Sequence, residues 1–546
     1  MNNNIFVKLY FLIVFVAIGF FYNSFFTIFT LLVSSKLLWI GAVLALIVAT
    51  AFAYRFTQFA YFILFIFLAF SGHAPWHKYN LVLIFLVASL SLGTHLKLLL
   101  DKQKLDNFMI EVSKQNIFYI ITLYLFVGFI ATLVGVGSDI QYAKYMIVTY
   151  DLDKLYMLES IVYTTLVSSI GVYILGTLEV DAKQVGRYIQ MIFFGFLISL
   201  VVGYLSYFGI IDIFWFSDPD GSARSRFASM YQNSTWYAEY IAVVLPLSLV
   251  LFRYYAKSKL FFVFFLTLVI LMEVALIFAI QRGAWISYPF TLLAIWTSIH
   301  FVIYSLKNPD NSIKDFFKAS WLKIVVTTPI TIVASLVIVY MIKENNLKPI
   351  QTFNTISNKA HNVVNNPNRT KLWKPAMNML QASPIYGNGS ASFGYMCYTY
   401  YYDKNFPNYI KNDYKLHLGA FGTAHNMYLQ DIVGKGVVGI LLLLSLIGFT
   451  MRSLIQTIIE KKQDYQGTIL TIALFSSMVS ISIYGFVQEI FQPYSVQIIF
   501  WMVIVLSAVL SNKLIDKIQL LSRYTKILYI LILLIPVHIL YSGFSV

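Results

Sequence analysis

Charged side chains are scarce in this chain of 546 residues. Asp, Glu, Lys and Arg together make up 12% of it, about half the roughly 25% of a soluble domain. Because 59% of the residues are hydrophobic, the string of water-soluble domains that length alone would suggest is excluded. Cysteine is scarcer still: Cys397 stands alone, which excludes an intrachain disulfide framework. The sequence also lacks internal repeats and low-complexity tracts. Its first residues, Met1 to Lys8 followed by an apolar run from Leu9, lack a small-residue cleavage site after a short core. They predict a retained first helix and not a signal peptide.

Long apolar runs are abundant. A helix needs roughly 20 apolar residues to cross about 30 Å of hydrocarbon. Runs of that kind fall near 8–33, 37–54, 56–72, 79–97, 117–137, 159–178, 188–209, 236–252, 260–280, 284–305, 323–342, 427–450, 467–487, 494–511 and 527–543. Arg55 alone divides the 37–72 stretch. The expected fold class is all-α, a polytopic integral membrane bundle of about 14 transmembrane helices. The expected domains are spans with short loops over 1–342, a large outer loop subdomain over 343–426, and C-terminal spans over 427–546. Aromatic residues, 17% of the chain, suit belts and grooves at the two interfaces.

The net charge of +15 could suggest nucleic acid, but its distribution argues for topology. Lys97, Lys102, Lys104 and Lys114, then Lys183 and Arg187, then Arg253, Lys257 and Lys259 fall in alternate connections. So do Lys307, Lys314 and Lys318, then Arg452, Lys461 and Lys462, and finally Lys513, Lys517, Arg523 and Lys526. All lie on one side of the helix count, which the positive-inside bias makes the cytoplasm. No nucleic acid partner is expected.

The opposite face receives 138–158, 210–235, a short turn at 281–283 and the long segment 343–426. That segment carries Asn, Pro and Gly punctuation and a tyrosine cluster (Tyr395, Tyr398, Tyr400, Tyr401, Tyr402), so it reads as a folded insertion. The tyrosines suit sugar stacking and interface anchoring equally. An amphipathic stretch at 370–381 would lie at the interface.

Four polar groups converge on this face. Arg224 and Arg226 precede Tyr231-Gln-Asn-Ser-Thr-Trp236, and Arg282 sits in the turn Gln281-Arg-Gly-Ala-Trp285. Positive-inside bias should deplete arginine here, yet three stand in two short loops. Snorkelling is the ordinary explanation. The alternative is a grip on a lipid-linked pyrophosphate, because guanidinium binds phosphate oxygens bidentately. Arg369, in Asn368-Arg-Thr-Lys-Leu-Trp373, is followed by the tight turn Ser383-Pro-Ile-Tyr-Gly-Asn-Gly389. Last, His425-Asn426 opens the helix after the long loop. Imidazole can take a hydroxyl proton near neutral pH, although a lone interface histidine is more often structural.

The other candidates are weaker. His73 and His77 are two ligands, too few for a zinc site, and His95, His300, His361, His417 and His538 stand alone. Asp218-Pro-Asp220 and Asp151-Leu-Asp153 mimic metal-holding Asp-x-Asp pairs, but nucleotide-sugars are cytoplasmic and these loops are not. No metal and no cofactor is expected. Glu273 and Glu489 could serve proton-coupled transport, yet two isolated acids without basic partners make a poor relay. A transporter of lipid-linked glycan also needs polarity through the bilayer midplane, where this sequence is nearly featureless.

The run His425-Asn426, nine residues, Gly436-Val-Val-Gly439 resembles the signature of the bacterial O-antigen ligase family, which includes O-antigen polymerases and protein O-oligosaccharyltransferases. Arg369-Thr-Lys-Leu-Trp373, Ser383-Pro-Ile-Tyr-Gly-Asn-Gly389, the arginine loop before Gln232-Asn233 and the Arg282-Gly283-Ala284-Trp285 turn are similar to that family's pattern. The resemblance covers roughly 220–445, and the first 200 residues carry none of it. It implies a metal-independent, inverting glycosyltransferase of the all-helical GT-C-like membrane class, in the bacterial inner membrane with its site facing the periplasm. The donor would be a glycan on undecaprenyl pyrophosphate, and the acceptor a lipid A–core, a protein or the growing glycan. Arg224 or Arg226 with Arg282 would hold the pyrophosphate, and His425 would act as base with Asn426 fixing its loop. Arg369 would contact the acceptor or the loop.

Overall fold

The computed structural model describes residues 4–32, 36–70, 81–138, 151–178, 182–211, 226–231, 234–251, 258–308, 313–345, 354, 356–357, 367–390, 392–393, 423–460, 464–489, 491, 494–511 and 517–544. Among them the chain is all-α. The helices are α1 (Asn4–Leu32), α2 (Lys36–Arg55), α3 (Thr57–Phe67), α4 (Leu81–Leu99), α5 (Lys102–Ser113), α6 (Asn116–Ser138), α7 (Asp151–Thr177), α8 (Ala182–Tyr207) and α9 (Ser234–Val244). Next come α10 (Lys259–Phe278), α11 (Arg282–Lys307), α12 (Ile313–Glu344), α13 (Pro367–Ala382), α14 (Met427–Glu460), α15 (Tyr465–Gly485), α16 (Tyr494–Ser511) and α17 (Lys517–Phe544). Eleven are long and apolar enough to cross a membrane, and Ile40–Arg55, Thr57–Phe67 and Tyr524–Val537 are shorter apolar pieces.

Helices α7 and α16 form the centre. Of the span Ser160–Thr177, 89% is buried, against 20% of Lys314–Glu344 in α12, so the latter faces the bilayer. The sequence of α7 explains its place. Gly171 and Gly176 let Val505 and Phe108 approach to contact distance, as small residues do at membrane helix interfaces. Its hydroxyls turn back on their own helix: Thr164 donates to the Ser160 carbonyl at 2.9 Å and Thr165 to that of Ile161 at 2.8 Å. Around this centre α7 packs on α1, α4, α5 and α6, while α14 lies along α6 and α15 along α11.

The run at 236–252, expected as one span, is divided. Helix α9 ends at Val244 and a 3₁₀ turn covers Leu245–Leu249, with Pro246 in it. Proline has no N–H for the carbonyl four residues back, Ala242. The Ser480 hydroxyl of α15 supplies that bond at 2.7 Å, and Ser477 serves the Val243 carbonyl at 2.8 Å. Side chains of a neighbouring helix thus replace the lost backbone donors inside the membrane.

The two ends of the bundle differ. At one, the short amphipathic α5 carries Lys102 and Lys104 and is capped by Asp101, whose carboxylate accepts the Lys104 N–H at 3.1 Å. At the other end of α6, the Thr132 hydroxyl accepts the Ser390 N–H at 3.1 Å, and the backbone of Asn388 lies against Gly135. The segment after α13 therefore folds onto the end opposite to α5. Within the expected loop subdomain, 346–353, 355, 358–366, 391 and 394–422 fall outside the described residues.

Candidate functional site

Four turns interlock at that second end. The first spans 226–231. The Phe227 N–H donates to the Phe278 carbonyl at 2.9 Å, and the buried Tyr231 hydroxyl reaches the Leu68 carbonyl at 2.8 Å and Ser495 Oγ at 2.9 Å. Arg226 is half-buried here, and its Nε has no hydrogen-bond partner among the described residues. Arg224 and Gln232-Asn233 lie outside the described residues.

The second turn links α10 to α11. Gln281 donates from Nε2 to Ser234 Oγ at 3.3 Å, so it sits beside the first turn. Arg282 is the first residue of α11. A cation there is at the wrong end of the helix macrodipole for stability. Together with the positive dipole end of a helix start it makes a place suited to an anion. Gly283 explains the close packing: a Cβ there would stand 2.9 Å from Val487 Cγ2.

The third turn, 423–427, holds His425 and opens α14. Asn426 is the helix cap. Its Oδ1 accepts the N–H groups of Tyr428 and Leu429 at 2.9 and 3.0 Å, and its Nδ2 donates to the Phe486 carbonyl at 2.9 Å. The Met427 N–H reaches the Gln488 carbonyl at 3.2 Å. The His425 N–H donates to Thr423 Oγ1 at 3.3 Å, and the residue is half-buried.

The fourth turn, 484–489, is the platform on which the second and third rest. Among the described residues, the non-glycine residues with positive φ are Ser229 at 51°, Ile280 at 57° and His425 at 49°. One falls in each of the three turns that carry a candidate arginine or histidine. The β-branched Ile280 is the clearest outlier, and such strain of order 1–3 kcal/mol gathers where surrounding structure enforces a geometry.

The glycine motifs act as a pair. Gly436 breaks α14 at φ 66°, ψ −168°, and a Cβ there would lie 2.1 Å from the Ile385 oxygen. Gly387, at φ 74°, has Gly436 N within 2.5 Å of its own Cβ position. The turn after α13 docks on this break by backbone bonds: Asn388 N–H to Val433 O at 2.9 Å, Gly389 N–H to Gly434 O at 2.8 Å and Val437 N–H to Pro384 O at 2.8 Å. Helix α13 itself sits on α14 through a small core of Ala376, Met379, Phe393, Ala424 and Val433. Arg369 is on the first turn of α13, and its side chain lies outside the described set.

Beside the His425 turn is a cavity of about 70 Å³, and two of its three charged lining residues, Asp431 and Lys435, went unremarked in the sequence. Lys435 forms an ion pair with Asp431, a buried i,i+4 pair of α14. Tyr124 Oη donates to Asp431 at 2.7 Å and accepts from Lys435 at 2.8 Å. Glu489, buried in the fourth turn, accepts the Phe491 N–H at 3.2 Å. Burial pushes its carboxyl up to about 8. Glu489 thus has a basic neighbour, contrary to the expectation of an isolated acid, since the Lys435 ammonium is close enough to pull in the opposite direction. The signal available in the sequence was the i,i+4 spacing of opposite charges in an apolar helix.

The other expectations separate. Glu273 accepts a hydrogen bond from Ser335, within the α10 and α12 pair and away from the four turns. His95 is buried and bonded to Tyr10 and Ser91. Asp151 and Asp153 belong to the first turn of α7. Asp218, Asp220, His73, His77, His361, His417 and the tyrosine cluster from Tyr395 to Tyr402 lie outside the described residues.

No curated protein matches the chain. The family model described as O-antigen ligase matches residues 266–444, a stretch from within α10 to within α14. It includes Arg282, Arg369, the docked glycine turn and His425. On that match residues 266–444 carry the O-antigen ligase domain, which supports a membrane glycosyl-transferring protein of the ligase and polymerase kind.

Proposed function

We propose that the chain transfers a glycan from undecaprenyl pyrophosphate to an acceptor hydroxyl at the periplasmic face of the inner membrane, as a ligase acting on lipid A–core or protein. The observation that supports this reading is that the turns carrying Arg282 and His425 rest on one platform, 484–489, while the turn carrying Arg226 is bonded to the end of α10 just before Arg282. Separate snorkelling arginines would have no reason to be tied to the histidine's turn.

In the reaction, the acceptor oxygen attacks the anomeric carbon while its proton passes to the His425 imidazole. The bond from that carbon to the pyrophosphate oxygen breaks, and its electron pair leaves with undecaprenyl pyrophosphate. Attack opposite the leaving group inverts the anomeric centre. Arg282, with Arg226 or Arg224, counters the charge that grows on the leaving oxygen. Bidentate guanidinium geometry suits a diphosphate, and the α11 start adds backbone N–H groups. Arg369, on the first turn of α13, would meet the acceptor or the loop.

The test is transfer by purified full-length protein from polyprenyl-linked glycan in excess EDTA and without nucleotide. The expected result is turnover under both conditions, lost with donor binding in Arg282→Ala and barely recovered in Arg282→Lys. Strict dependence on Mg²⁺ or Mn²⁺, or full activity of Arg282→Ala, contradicts the proposal.

A further inference from the structure

The cavity beside the His425 turn has a lining that the transfer chemistry does not use. Glu489, Asp431 and Ser390 line it, and one oxygen of each (Oε2, Oδ2 and Oγ) is buried without a hydrogen-bond partner among the described residues. The three residues are 4%, 4% and 5% exposed. Unpartnered buried oxygens of this kind cost about 1–3 kcal/mol each unless something partners them. They come from three separate elements: the platform turn, α14 and the docked glycine turn. Asp431 Oδ2 lacks a donor, the protonated Glu489 Oε2 lacks an acceptor and Ser390 Oγ can use either, and a sugar hydroxyl both donates and accepts.

Charge narrows the ligand further. Lys435 and Asp431 cancel as a pair. Glu489, held up to about 8 by burial, is mostly the neutral acid at pH 7. The charged groups in the lining therefore sum to nothing, and a carboxylate or ammonium entering the cavity would shed its water without an opposite charge to meet. Size narrows it again. About 70 Å³ of water-accessible space has room for a few waters or for a substituent of a sugar ring. Phe491 and Tyr494 in the same lining offer apolar faces on which the ring's C–H groups can rest.

Position ties the cavity to the reaction. Thr423, which accepts the His425 N–H, and Gln430, whose side chain accepts the Ala424 N–H at 2.9 Å, both line it. We infer that this cavity is a specificity subsite for the sugar unit next to the reacting bond, taking an uncharged polar substituent such as a hydroxymethyl or acetamido group. The inference rests on the transferase reading above, and it predicts selection against uronic acids and amino sugars.

The test uses the full-length protein with Cys397→Ser and a reporter Ser390→Cys, alkylated by a small neutral reagent. The probes are methyl glucoside, methyl N-acetylglucosaminide and methyl glucuronide. The neutral glycosides slow alkylation at concentrations at least about tenfold lower than the glucuronide does. Glu489→Leu removes a buried acid together with its bond from the Phe491 N–H, its melting temperature is checked beside wild type, and it weakens protection by the neutral glycosides about tenfold. Asp431→Asn leaves Lys435 uncompensated and turns the preference toward the glucuronide. A cavity that holds only water gives no protection by any glycoside, and this overturns the inference. Equal protection by neutral and anionic probes, unchanged in Asp431→Asn, overturns it as well. The readout needs no turnover, so a protein that binds neutral sugars here but transfers none keeps the subsite and loses the proposed function.

Discussion

His95 stands in α4 where α1 and α7 close on it, fully buried, with Tyr10 Oη 2.9 Å from one ring nitrogen and the Ser91 carbonyl 2.7 Å from the other. His425 stands at the opposite extreme of the polar residues. It is half-buried, on a turn with φ 49°, and that turn is held to the platform 484–489 rather than inside one helix. In the first region a polar side chain is placed by regular helices, and its hydrogen bonds are complete within them. In the second, the backbone is held in a sparsely populated conformation by contacts from chain segments far apart in sequence. Burial alone would rank His95 as the more constrained histidine, yet strain and convergence point to His425.

The largest effect expected breaks this comparison directly. Loss of a general base is worth about 10² to 10⁴ in rate, so His425→Ala should fall by that order in single-turnover transfer with donor binding intact. His425→Gln should do no better. His95→Gln should lower thermal stability and leave the transfer rate of the folded protein within a few-fold. If His425→Gln transfers at the wild-type rate while His95→Gln does not, the two regions have exchanged roles.

A second, smaller effect sharpens the contrast within a single helix. Gly436 and Gly448 both belong to α14, but a Cβ at Gly448 meets nothing within 4 Å. Gly448→Ala should be neutral or stabilising by up to about 1 kcal/mol. Gly436→Ala combines a left-handed backbone with a collision against Ile385 backbone, and should cost more than about 2 kcal/mol. It should also release the turn after α13, read as faster proteolysis near Gly389. Equal melting temperatures for the two variants would mean that the break in α14 is not what holds the turn.

Much of this was legible in the sequence, for identifiable reasons. Apolar runs have the length the bilayer imposes, so the span from Ser160 to Thr177 or from Gly467 to Gly485 could be read directly. Pro246 hid the division of the run at 236–252, because hydropathy does not register a missing N–H. The candidate residues were found where polar side chains interrupt apolar helices at one end. What pairwise sequence reading misses is contact across hundreds of positions. Tyr124 meets Asp431 and Lys435 over more than 300 residues, and Gly387 makes sense only beside Gly436. Gly-Asn-Gly is a weak signal alone for the same reason: its partner is another glycine some fifty positions away.

The smallest effect compares the two ends of the bundle through their helix caps. Asp101 caps α5 with a carboxylate that accepts the Lys104 N–H and makes a local ion pair with Lys104. Asn426 caps α14 with Oδ1 and at the same time ties Nδ2 to the Phe486 carbonyl on the platform turn. Either cap lost to alanine costs about 1 kcal/mol, so thermal stability alone should hardly separate Asp101→Ala from Asn426→Ala. Transfer should separate them, because only Asn426 also fixes the turn that carries His425. Asn426→Asp makes the distinction cleanest. It keeps an oxygen for the Tyr428 and Leu429 N–H groups and places a carboxylate at a helix start, which the macrodipole favours. It loses only the donor to Phe486, and its charge faces that carbonyl. The expected result is near-native stability with turnover lowered about tenfold or more, the size of effect that a shift of about 1 Å in catalytic geometry produces. Native turnover in Asn426→Asp would reduce Asn426 to a helix cap like Asp101, and the third turn would then owe its place to the backbone bond between Met427 and Gln488.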